Sequence, residues 1–99
     1  MEIRSLEEIE KKEEELRKKM KSTRNYRDRQ LIANKLEGIC IVRDILASPS
    51  YKNKEYSIKY RIKEVEDQIK DWEEYTGEKA ENLRAELSGL KYAFKKRRK

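Results

Sequence analysis

Residues 58–94 read IKYRIKEVEDQIKDWEEYTGEKAENLRAELSGLKYAF, and the spacing of their apolar side chains decides the fold. Ile58, Ile62, Val65, Ile69 and Trp72 form one block; Ala80, Leu83, Leu87, Leu90 and Phe94 form the next. Within each block the steps alternate four and three, which places one apolar stripe on one side of a helix. The blocks mirror each other about Thr76, so Ile58 pairs with Phe94, Ile62 with Leu90 and Trp72 with Ala80. A reversal at Thr76–Gly77, with glycine ending the first helix, lays one stripe on the other. The competing reading is a single continuous helix carrying a four-residue stutter. The reversal accounts for both the glycine and the symmetry, and it places Trp72 in the core near the tip.

Upstream, Ser5-Leu6-Glu7-Glu8 has the form of a capping box. The helix it opens carries five Glu-to-Lys/Arg pairs at four-residue spacing, among them Glu13–Arg17 and Glu14–Lys18. Its apolar stripe is thin, with Glu13 standing where the seam of Ile9, Leu16 and Met20 calls for an apolar residue. That helix belongs on the outside. Ser22–Asn25 supplies a turn and the next N-cap. From Tyr26 to Ala47 apolar residues spread over more than one face, which predicts the most buried helix. Gly38 in its interior costs about 1 kcal/mol against alanine, so another segment is expected to approach closely there. Ser48-Pro49-Ser50 ends it, because the residue before proline avoids the helical region.

The chain therefore reads as one all-α domain of 99 residues. An N-terminal helical hairpin covers 1–47, a connector 48–53, and a C-terminal hairpin with a basic tail 54–99. Together they form a small four-helix bundle or coiled-coil-like domain. Charged residues make up 46% of the sequence, so the helices must carry broad solvated faces.

Composition also limits the chemistry. The chain has no histidine and one cysteine, Cys40, which leaves neither the commonest general base nor a zinc-ligand set. No glycine-rich phosphate loop and no Gly-x-Ser-x-Gly elbow occurs. The expectation is a protein that is not an enzyme and needs no cofactor or metal. With one cysteine, no apolar run of membrane-spanning length and a charged N-terminus, the expected setting is the cytoplasm, with no membrane partner. Residues 32–46 (IANKLEGICIVRDIL) depart from helix-turn-helix spacing, with Glu37 inserted before Gly38 and only three residues between Gly38 and Val42. They read as continuous core helix.

The six bases from Lys91 onward account for the whole net charge of +6. Residues 50–63 hold five bases and one acid; residues 64–90 hold three and nine. A reversal at Thr76 brings the two basic segments to one pole, with Tyr60 opposite Tyr92. The candidate binding residues are Lys52, Lys54, Tyr56, Lys59, Tyr60, Arg61 and Lys63 on one side, and Tyr92, Lys95, Lys96, Arg97, Arg98 and Lys99 on the other. Tyrosine is favoured at protein interfaces, while lysine and arginine neutralise phosphates. The leading expectation is a helical protein–protein interaction module, an adaptor or inhibitor. It engages a protein or nucleoprotein with its basic pole toward a polyanion. Direct, sequence-independent binding of DNA or RNA is the alternative, and a homodimer is a further partner considered.

Overall fold

The computed structural model describes residues 2–95; Lys96, Arg97, Arg98 and Lys99, four of the candidate residues, lie outside the described residues. Four helices follow in order: α1 (Leu6–Ser22), α2 (Tyr26–Ala47), α3 (Lys54–Thr76) and α4 (Glu81–Lys91). The fold is all-α, two helical hairpins forming a small bundle. No helix among the described residues is long and apolar enough to cross a membrane.

Local chemistry sets each boundary. The Ser5 hydroxyl accepts from the Glu8 amide at 3.2 Å while the Glu8 carboxylate accepts from the Ser5 amide at 3.1 Å, a complete capping box. Asn25 caps α2 by accepting from the Asp28 amide, and Asn53 caps α3 by accepting from the Tyr56 amide. The α2 helix stops at Ala47, ahead of Ser48–Pro49. The α3 helix ends at Gly77, whose φ of 71° is the left-handed conformation glycine adopts without a Cβ penalty. A continuous helix from 54 to 94 would run about 60 Å at 1.5 Å per residue. The molecule extends no further than 37 Å, so the chain does turn back.

The turn at Gly77 is tied by Glu73. Its carboxylate accepts from the Ala80 amide at 2.8 Å, which caps α4 from the preceding helix, and from Nε and Nη2 of Arg84 at 2.8 and 2.7 Å. The Arg84 guanidinium, aided by the Ala80 amide, lowers the Glu73 pKa to about 2. A carboxyl depressed below its unfolded value of 4.5 contributes stability that is complete above pH 4.5 and lost as pH falls toward 2. Thermal melts of the wild type should therefore decline faster between pH 4.5 and 2 than those of Glu73→Gln. Parallel declines would remove Glu73 from the account of acid sensitivity.

The packing of α4 departs from the mirrored seam. Rather than lying chiefly on α3, α4 crosses α2 at backbone contact, with Gly38 against Gly89. A Cβ built on Gly38 falls 2.3 Å from the Glu86 carbonyl oxygen, and one on Gly89 falls 2.1 Å from the Lys35 carbonyl oxygen. Ile39, Val42, Ile58, Leu90 and Ala93 fill the core around this crossing, and Ile9 and Leu16 bring α1 onto it. Because α4 begins only at Glu81 and packs chiefly on α2, it leaves Trp72 48% exposed, and Trp72 is not a core residue. The two chain ends meet beside the bundle: Ile3 and Phe94 form an antiparallel bridge, flanked by the Arg4 amide donating to the Ala93 carbonyl at 2.7 Å.

Candidate functional site

The structure divides the expected basic pole. Tyr60 and Tyr92 do not face each other; they line separate grooves. Tyr92 is half-buried, with the Arg4 guanidinium carbon 4.1 Å and the Lys12 ammonium 5.3 Å from its ring centre, a pair of cation–π contacts. Several of the expected cations are occupied. The Lys54 ammonium donates to the Leu46 carbonyl oxygen, closing the C-terminal end of α2. Lys59 pairs with Glu55, Arg61 with Glu64, and Lys95 with Glu8 at 3.3 Å. Lys52 and Lys63 are exposed.

Among the described residues, two grooves stand out as places for a partner. The first lies between α2 and α3 and measures about 550 Å³. Ile41 and Ile45 of α2 form its floor. Tyr56, Tyr60 and Glu64, one turn apart on α3, form a wall, and Tyr51 from the connector closes one end. Helix geometry explains the wall. Ile58 is fully buried toward the core, and residues two positions away on a helix point to the opposite side. Tyr56 and Tyr60 are thus 57% and 58% exposed, their ring centres 6.3 Å apart.

The second groove, about 710 Å³, runs along α4 beside α2 and the N-terminal segment. Five cations line it, Arg4, Lys35, Arg84, Lys91 and Lys95, and no carboxylate does. At Lys35 and Ser88 it meets a further groove of about 460 Å³, which adds Lys12 and Lys19 of α1 with Glu15 as its one acid. Arg4, Lys12, Lys19, Lys35 and Arg84 were not among the residues expected from sequence. They come from separate stretches of chain: the Gly38–Gly89 crossing seats α4 against the Lys35 carbonyl, and the Ile3–Phe94 bridge brings Arg4 alongside.

Burial and the nearby Glu13 carboxylate push the Cys40 thiol above its ordinary pKa, the reverse of what activates a nucleophile. Among the described residues no group of three histidine, cysteine or acidic side chains is placed to hold a metal ion. Comparison of the chain with protein-family models, curated proteins and solved structures found no match.

Proposed function

We propose that the chain is a non-enzymatic helical interaction module, an adaptor or inhibitor in kind, that docks a protein partner in the cytoplasm. The observation that carries this reading is the groove between α2 and α3, where Tyr51, Tyr56 and Tyr60 stand exposed over an isoleucine floor. A large, stiff aromatic beside an arginine is the composition of energetic centres at protein interfaces. The groove is open along two helices, which suits an amphipathic helix of another protein inserting an apolar anchor over Ile41 and Ile45. Arg61, in an exposed pair with Glu64, exchanges readily for a partner carboxylate. Direct nucleic-acid binding at this groove is the weaker reading, because the carboxylates of Asp44 and Glu64 line it and repel phosphate.

The double variant Tyr56→Ala/Tyr60→Ala tests the docking. Both side chains are exposed, so its melting temperature should stay close to that of wild type. Immobilised wild-type chain should retain a protein partner from nuclease-treated native lysate at high salt. The variant should retain it at least tenfold less, as truncation of central interface tyrosines costs about 2 kcal/mol. Equal retention by both proteins would defeat the reading. So would self-association that the variant abolishes, since the groove would then receive a second copy.

A further inference from the structure

We infer that the cationic groove along α4 is a binding track for the sugar–phosphate backbone of nucleic acid, with Lys35 at its centre. This site is separate from the tyrosine groove and does not depend on it. The first ground is the charge census: five cations and no carboxylate line one groove, and the adjoining groove adds two more cations against one acid. The second is Lys35 itself. Its ammonium has no carboxylate within 4 Å among the described residues, while Lys12 and Lys19 repel it from α1. Burial, reinforced by those two charges, holds its pKa below the ordinary lysine value. An unpaired, part-buried ammonium facing two others is unfavourable for an isolated fold and favourable once an anion enters.

The remaining cations are arranged to follow. Lys91 and Lys95 hold ion pairs with Glu66 and Glu8 along the margins, and exposed lysine pairs of this kind are individually weak and exchange for a ligand. Arg84 stays on Glu73, and Arg4 stays on Glu8 and the Tyr92 carbonyl, so these two add field rather than free contacts. The Ser88 hydroxyl sits where the two grooves join, within reach of the same backbone. Two features choose an extended polyanion over a single phosphate. The two grooves share Lys35 and Ser88, and Arg84 and Lys91 stand two turns apart on α4 rather than converging on one point. Tyr92 lies under Arg4 and Lys12, so its ring face is already covered and offers no platform for a base. The track therefore reads phosphates and not sequence, and takes single strands and duplexes alike.

The test is fluorescence anisotropy of the full chain with a labelled mixed-sequence 20-mer, as single strand and as duplex, at 50 and 200 mM potassium chloride. Both forms should bind with similar affinity, and that affinity should fall by about a hundredfold between the two salts, as expected for about four neutralised phosphates. Lys35→Gln should reduce the salt slope by about one and weaken binding several-fold, and Lys35→Gln/Lys91→Gln should weaken it further. Lys35→Gln should melt at or above the wild-type temperature, which separates lost binding from lost fold. Lys91→Gln, an exposed change, serves as the check if it does not. Tyr56→Ala/Tyr60→Ala should leave this binding unaltered. Four results would each overturn the inference: no binding at 50 mM salt, wild-type affinity in the double lysine variant, loss only on removing Lys96–Lys99, or inorganic phosphate competing as well as the oligonucleotide.

Discussion

Gly89→Ala should lower the melting temperature by roughly 10–20 °C, and Gly89→Val should leave the chain unfolded at 37 °C. The size of the effect depends on what the added Cβ meets. At Gly89 it falls 2.1 Å from the Lys35 carbonyl oxygen and 3.1 Å from the Ile39 amide nitrogen. Both are backbone atoms of α2, so no rotamer change relieves the overlap and the two helices must separate. Overpacking costs about 1–3 kcal/mol where side chains can adjust, and more where they cannot. Against it stands a gain of about 1 kcal/mol from replacing glycine by alanine inside a helix. A net loss of about 2–3 kcal/mol remains, at roughly 4–8 °C per kcal/mol for a domain of this size. Gly38→Ala should act alike, its Cβ falling 2.3 Å from the Glu86 carbonyl oxygen. The double variant supplies the sharper result. Once one methyl has pushed the helices apart, the second meets less resistance, so the combined loss should fall short of the two single losses added. Melts monitored by circular dichroism decide it. A Gly89→Ala variant more stable than wild type would mean the helices do not touch there.

That crossing marks how far the sequence could be read. Helix limits are written in local chemistry: the Ser5 capping box, the Asn25 cap, Ser48–Pro49 and Gly77 each act within a turn of their own position. Gly38 as a place of close approach was legible too, because an interior helical glycine calls for a reason. What approaches it was not. Gly89 is visible as a glycine, but its fit to Gly38 is a property of two segments 51 positions apart, and no periodicity encodes it. The mirrored stripes of α3 and α4 describe which faces are apolar without saying which neighbour covers them. Trp72 is the case in point, since it holds a stripe position yet is 48% exposed. The same limit governs the surfaces. The one-turn spacing of Tyr56 and Tyr60 off the Ile58 stripe is visible in the sequence, but not whether they pack on α2 or stand exposed. The cationic groove draws on four separate segments and carries no contiguous signal. Charge runs, in turn, overstated the basic pole, because Glu55, Glu64 and Glu8 lie against Lys59, Arg61 and Lys95 in the folded chain.

Glu13→Ala should cost about 2 kcal/mol, and the compensated variant Glu13→Leu/Arg43→Leu should recover most or all of it. Glu13 occupies a seam position between Ile9 and Leu16 and is only 8% exposed. Its carboxylate accepts from Arg17 at 2.8 Å, and both its oxygens lie 2.6 Å from one arm of Arg43. Burial works to raise its pKa, but the hydrogen bonds from Arg17 and Arg43 outweigh that and hold it below the ordinary value. Removing one partner of a fully buried pair costs about 3–5 kcal/mol, because a charge is stranded. Here Arg17 is half exposed and Arg43 a third exposed, so both guanidiniums rehydrate in part and the loss is smaller. Replacing the acid and Arg43 together by leucine continues the Ile9–Leu16 stripe and strands only Arg17, which already reaches water. The wild-type contribution is present above pH 4.5 and lost as pH falls below it, so Glu13→Ala should also flatten that part of the stability profile. Urea melts at pH 7 and pH 3 measure both effects. Recovery in the leucine pair would mean that the network fixes how α1 registers against α2 and adds little net stability. If the leucine pair were as unstable as Glu13→Ala, the ion pairs themselves would be what holds α1 in place.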